Sequence, residues 1–279
     1  MNNLKTQFLG FMNTPALFTE LNGLNQIQLD IDEIKDFDFS QLNVVDNLTM
    51  GVRIERFFEF YIQQSKNYDL IKNNIQIINN KQTLGELDFI LYDKKANKYL
   101  HVEHVYKFYL YDDSIPSEID RYIGPNKNDT FVKKLAKLKN KQLPLLHKDE
   151  TQEYLDGLDT DSFEQKICLK GNIFVPLHLL GKDIPVINNS CVRGFYINRE
   201  EFVSQEQYKE FEYFLPSRDD WVSDCSTCNT WISFDKAVEE IDLLLVREKS
   251  PLVWLKNKKD NTTQSFFVTW WKNKKLLVQ

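Results

Sequence analysis

Residues 85–110, GELDFILYDKKANKYLHVEHVYKFYL, read as two adjacent strands joined by a polar turn at residues 93–98. Side chains alternate across a strand, so Leu87, Phe89 and Leu91 point one way while Glu86, Asp88 and Ile90 point the other. In the second strand His101, Glu103, Val105, Lys107 and Tyr109 share a face, and Val102, His104, Tyr106, Phe108 and Leu110 share the opposite one. A register that buries Leu87 and Phe89 places Asp88 on the other sheet face. If Glu103 lies on that face of the neighbouring strand, two carboxylates meet beside a lysine. Such a group is unfavourable on a half-buried sheet unless a cation or a substrate compensates it.

The flanking sequence supplies more acids and bases. In residues 48–64 the apolar positions Met50, Ile54, Phe57, Phe58, Tyr61 and Ile62 fall on one helical arc. Glu55 sits about 20° beyond the edge of that arc, where a glutamate either looks into a cleft or is simply solvated. NIQIIN at 74–79 reads as a strand. A Pro- and Gly-containing loop with the turn signal IGPN follows the hairpin. Asn128 or Asp129 then caps a helix that Pro144 is expected to end. Phe131, Leu135, Leu138 and Leu143 form its apolar face. Lys127, Lys133, Lys134, Lys137, Lys139 and Lys141 make it the strongest basic patch in a chain of net charge −6 and pI near 5.4. Whole-protein charge therefore does not drive polyanion binding, and any such partner must be met locally. The patch is either a phosphate-backbone contact or a solvated lysine face.

Residues 149–165 are acidic and polar, as befits an exposed connection, and KICLKGNIFVPL reads as a strand returning to the central sheet. The last hundred residues hold strands at GFYIN, PLVW and FFVTWW around one amphipathic helix near 234–247. All five tryptophans fall here, and core or interface anchoring is preferred over base stacking. Residues 1–46 give a short helix before Pro15 and then irregular structure wrapping a core. The four cysteines include a single CxxC, Cys225 and Cys228, without a second pair or spaced histidines; they read as reduced thiols rather than a zinc site. The amino terminus does not read as a signal peptide, and the longest aliphatic run, residues 243–246, is too short for a bilayer. A cytoplasmic protein with no membrane association is expected.

The order helix with Glu, three strands, basic helix, strand resembles the PD-(D/E)XK nuclease superfamily, with its α-β-β-β-α-β core. More closely, the chain resembles the uncharacterised bacterial family called domain of unknown function 1853, which is usually grouped with those nucleases. The residues that carry this closer likeness are GELDFIL, HVEHVYKFYL, IGPN with Asp129, and KNKQLPL at 139–145, with thinner similarity through KGNIFVPL and GFYIN. The resemblance implies an α/β (α+β) protein with a mixed central sheet: a wrapping segment at 1–47, a restriction-endonuclease-like core at 48–177, and an aromatic-rich α+β extension at 178–279. It implies that Asp88 and Glu103 bind Mg2+ or Mn2+, that Glu55 completes the acidic cluster, and that Lys107 stands for the motif's lysine. Gln142 takes the position of the glutamine that some exonuclease-like members carry. The expected partner is nucleic acid, DNA before RNA, contacted by Lys133, Lys134, Lys137, Lys141 and Gln142. The expected activity is hydrolysis of phosphodiesters by a metal-activated water. The alternative is an inert nuclease-like fold that binds nucleic acid or protein. One departure separates the two. The motif's acid and lysine usually stand about 6.6 Å apart along a strand, whereas Glu103 and Lys107 stand about 13 Å apart. Lys107 can lean back or be brought nearer by a bulge, or Lys133 or Lys134 can supply the ammonium instead. His101 shares the Glu103 face, where a hydrogen-bonded structural role is preferred over water or metal binding. His104 is expected in the core, and the oligomeric state is left open.

Overall fold

Aromatic residues at helical spacing account for the start of the fold. In the computed structural model, which describes residues 3–18, 21 and 23–271, α1 (Asn3–Asn13) and α2 (Met50–Gln64) bring Phe8 against Phe57 and Phe60, with ring centroids 6.1 and 5.2 Å apart. Phe57, Phe58 and Ile54 are fully buried, each worth about 1.5–3 kcal/mol relative to exposure. Thr49 caps α2 at its start, its side chain accepting from the Val52 amide.

Three strands follow: β1 (Tyr68–Asn79), β2 (Gln82–Asp93) and β3 (Lys98–Tyr111), antiparallel in sequence. The β2–β3 turn forms where expected. Asp93 accepts from the amides of Lys95 and Ala96, both at 2.9 Å, and Asn97 takes a left-handed φ of 55°. β1 begins earlier than residue 74. Register shifts at Leu70/Lys72 and Ile77/Ile78 break its alternation, which hides the strand from a period-2 reading.

Next come the two-residue β4 (Tyr122–Ile123), α3 (Phe131–Lys137), a π-helical turn at Leu138–Gln142, α4 (Leu143–Leu145) and β5 (Glu164–Pro176). The order α2-β1-β2-β3-α3-β5 is the expected one, with β4 interposed. Pro144 does not end the helix. It sits inside the α4 turn, and the strain it would cause is taken up one step earlier. The Leu143 amide bonds back to the Leu138 carbonyl, five residues away. The wider turn accommodates a proline that can neither donate to Asn140 nor pack tightly against it.

The chain divides into two units. The first comprises Met1–Lys107 with Val132–Gly171, and the second comprises Phe108–Phe131 with Asn172–Gln279. This division cuts the chain differently from boundaries at 48–177 and 178–279, since residues 108–131 join the second unit. Residues 1, 2, 19, 20, 22 and 272–279 lie outside the described residues.

Within the first unit the strands run in the order β1-β2-β3-β5. Phe58 of α2 packs edge-on against Phe89, with centroids 4.7 Å apart, and His104 lies between Phe58 and Phe11 at 5.3 and 5.8 Å. His104 is thus in the core, as expected. On the other face Leu145 and Leu146 join Ile77, Leu87, Ile90, Leu155 and Phe163. Strict alternation put Leu87 with Phe89, but Leu87 packs in the cluster of Ile90. The strand is irregular at Asp88: β1 pairing skips it, and the β2–β3 ladder begins only at Phe89↔Val102. The stretch read as irregular wrapping also makes isolated long-range pairings with β5. Leu17 donates to the Leu169 carbonyl and Ile27 to that of Ile167, both at 2.9 Å.

In the second unit β5 runs parallel to β6 (Val192–Asn198). β6 runs parallel to β9 (Thr263–Thr269), and β8 (Leu252–Asn257) and β7 (Phe211–Phe214) continue antiparallel. Two helices pack on this sheet, α5 (Arg199–Ser204) and α6 (Phe234–Leu245); Phe202, Phe234, Ala237 and Ile241 meet Phe195, Tyr213, Val253 and Phe266. α5 and β7 were not read from the sequence, although Asn198-x-x-Glu201 is a capping-box spacing and the box is formed. Trp221 packs edge-on against Phe108 and Phe267, and Trp254 is buried. The protein is of α+β class with a mixed sheet. No helix of the described residues is long and apolar enough to cross a membrane.

Candidate acidic site

Glu55, Asp88, Glu103, Lys107, Lys134 and Gln142 all lie in the first unit. Where the β2–β3 ladder stops, Asp88 replaces it. Its Oδ2 accepts from the His104 backbone amide at 2.8 Å, and the carboxyl also hydrogen-bonds to Glu103. Glu103 is fully buried. Beyond the Phe89↔Val102 pair the two strands are tied through the Asp88 carboxyl instead of a ladder bond. Glu55, partly buried on α2, is within electrostatic reach of Asp88.

Burial pushes Asp88 up to about 7, and the neighbouring Glu103 charge adds to the rise. Burial likewise pushes Glu103 up to about 7, against the stabilising hydrogen bonds from Asp88 and the charge of Lys134. Glu55 rises to about 7 through burial first and then the charges of Asp88 and Glu86. Lys134 lowers all three acids. Its own pKa is lowered by burial and by Lys137, with Asp88 and Glu103 opposing.

The π-helical turn explains how Lys134 and Gln142 reach the same acids. On an ideal α-helix residues eight apart point about 80° away from each other. One extra residue in a wide turn reduces the divergence to about 20°. Lys134 Nζ donates to Gln142 Oε1 at 2.9 Å, and Gln142 Nε2 donates to Glu103 Oε2. The other Glu103 oxygen, Oε1, is 2.9 Å from His101 Nε2. His101 Nδ1 is 3.0 Å from Gln165 Nε2, which also donates to the Leu143 carbonyl at 2.7 Å. His101 is fully buried, with its pKa lowered to about 4 by burial. His101 thus has the hydrogen-bonded surroundings that were preferred for it. Gln165, at the start of β5, carries no motif and was not singled out.

The structure brings together Glu55, Asp88, Glu103, Lys134 and Gln142. Lys107 is partly buried on β3 and lowers the pKa of Lys134 by like charge; it therefore stands near the cluster, while Lys134 lowers all three acids and Lys137 lowers Glu103 as well. Lys133, Lys137 and Lys141 are exposed. Among the described residues no group of three or more His, Cys, Asp or Glu side chains is disposed to hold a metal ion. A cavity of about 470 Å³ is built from second-unit residues, including Asp112, Tyr196 and Trp271, and none of the clustered acids lines it.

Burial of these acids gives stability a pH dependence of definite sign. Asp88 has an ordinary value of 3.8 and holds its proton up to about 7 when folded. Between those values the folded state binds more protons than the unfolded chain, so this contribution falls as pH rises from about 4 to 7. Asp88→Asn is expected to gain on the wild type across that window, by on the order of a few kcal/mol at most, as urea midpoints in chelator would show. His101 and His104, lowered to about 4 and 3 by burial, act in the opposite sense, destabilising as pH falls below about 6.5. His104 is common to both proteins and cancels in the difference, while His101 loses the Asp88 charge that raises it and titrates slightly lower in the variant. Parallel curves would mean that the Asp88 carboxyl is not desolvated.

Fold and site together define an α+β protein with one buried and one partly buried acid served by a lysine and a glutamine from a π-bulged helix. The family model described as Domain of unknown function (DUF1853) matches residues 13–268, and the chain belongs to that family. No curated protein and no solved structure matches it.

Proposed function

We propose that the protein is a divalent-metal-dependent nuclease of the PD-(D/E)XK type that hydrolyses phosphodiesters, on DNA in preference to RNA, in the cytoplasm. The observation that carries the reading is the convergence of Asp88 and Glu103, from strands that part at this point, on Lys134 and Gln142. Burying two acids in contact is costly, and at neutral pH either protons or a cation must relieve that cost.

The donor chemistry fits Mg2+ or Mn2+. Both candidate ligands are hard oxygen donors, and magnesium commonly takes one or two carboxylates and completes its shell with water and phosphate. Asp88 and Glu103 would hold the ion. When bound, it would supply charge neutralisation and a more acidic water. Lys134 places an ammonium beside the acids where negative charge grows on a phosphate. Glu55, raised to about 7, is matched to accepting a proton near neutral pH. Lys133, Lys137 and Lys141 present charge for the phosphate backbone. The described cysteines are free thiols, which agrees with a reducing compartment.

A second reading, an inert nuclease-like module that binds nucleic acid or protein, is favoured by one observation. Both Glu103 oxygens already accept, from His101 and from Gln142. Plasmid and short oligonucleotides incubated with magnesium, manganese or chelator would separate the two. Asp88→Ala run alongside would expose a contaminating nuclease, and calorimetry with manganese would report binding directly. Metal-dependent cleavage lost in Asp88→Ala is the expected result. Absence of both cleavage and manganese binding would leave the inert module.

A further inference from the structure

Glu103 is held from two sides, and the side away from Gln142 has no part in the proposed nuclease chemistry. The Leu143 carbonyl can only accept, so the Gln165 group 2.7 Å from it is the amide NH2. The second hydrogen of that group points to His101 Nδ1 at 3.0 Å, which must then be the accepting nitrogen. The imidazole proton is left on Nε2, where it is donated to Glu103 Oε1 at 2.9 Å. One backbone carbonyl thus fixes the amide, the tautomer and the carboxylate in turn. His101 and Glu103 are both fully buried, so no water competes for these bonds.

The chain of bonds also closes on itself. Gln142 reaches Glu103 directly, and its neighbour Leu143 reaches it through Gln165 and His101. We propose that His101 and Gln165 are positioning residues that aim the Glu103 carboxylate at a bound divalent cation, with Gln165 acting only through His101. This rests on the nuclease reading in its metal-binding part and is independent of whether cleavage occurs. Partners that orient a ligating carboxylate are commonly worth 10–100-fold in metal affinity.

The test is manganese calorimetry on the full chain, with thermal melts confirming that each variant folds. His101→Leu removes the donor and is expected to weaken manganese binding by about 10-fold or more. His101→Gln keeps an NH2 near the Nε2 position and is expected to restore most of the affinity. Gln165→Met is expected to weaken binding on its own but to add nothing in the His101→Leu background, because the two act in series. A purely structural role would not give rescue by glutamine or this non-additivity. Should His101→Leu fail to fold, Gln165→Met and His101→Gln still decide the matter. Unchanged affinity in Gln165→Met and in a folded His101→Leu, with the wild type binding normally, would overturn the positioning role and leave the nuclease reading intact. A wild type that binds no manganese would overturn both.

Discussion

Lys134→Met is expected to reduce metal-dependent cleavage by about 10²–10³-fold, the usual consequence of removing one preorganised charge from a reacting centre. Lys107→Met should stay within about tenfold of the wild type. Lys134 lowers the pKa of Glu55, Asp88 and Glu103 alike and donates to the glutamine that bonds Glu103. Methionine matches the lysine stem in length, so packing around the half-buried side chain is largely kept. With the ammonium gone, the three acids hold their protons to higher pH. The residual activity should therefore rise with pH over a range where the wild type has levelled off. Rate-against-pH curves for the two variants provide the check. If Lys107→Met is the dead protein and Lys134→Met is active, the strand lysine has the role and the helix lysine only balances charge.

The largest expected effect on stability comes from Gly194→Ala. Gly194 lies on β6 in parallel register with Ser265 of β9, and a Cβ built on it would overlap the Ser265 carbonyl oxygen. The obstacle is backbone, held by the ladder on both sides, so no rotamer change relieves it. A loss of about 3 kcal/mol or more is expected in urea unfolding, at or beyond the upper end for overpacking. Gly85→Ala serves as the comparison. Its Cβ would meet Leu145 Cδ2 at 2.8 Å, the end of a side chain that can turn away, and a loss of about 1 kcal/mol is expected. Equal stability of the Gly194→Ala protein and the wild type would show that the two strands are free to separate there.

The hairpin, its turn and the helix carrying Glu55 were legible because they depend on short-range rules. Asp93 makes its own turn with amides two and three residues on, and a 3.6-residue apolar period needs no knowledge of what it packs against. The capping box of α5 was equally local and was passed over. Leu87 was assigned to the face of Phe89 because alternation was assumed to run unbroken through Asp88, the point at which both ladders are interrupted.

Short-range rules account for the residue types at hand: the acids of two neighbouring strands, a basic helix, and the order of elements that carries them. Which lysine reaches all three acids is instead a matter of three-dimensional packing. That choice depends on a turn widened ahead of Pro144, and a proline alone reads as a stop. The same packing also decided that Gln165, far along the chain and without a motif, would set the tautomer of His101. Hydrogen bonds of that kind are fixed by which buried groups must find partners once water has left, and linear spacing says nothing about them.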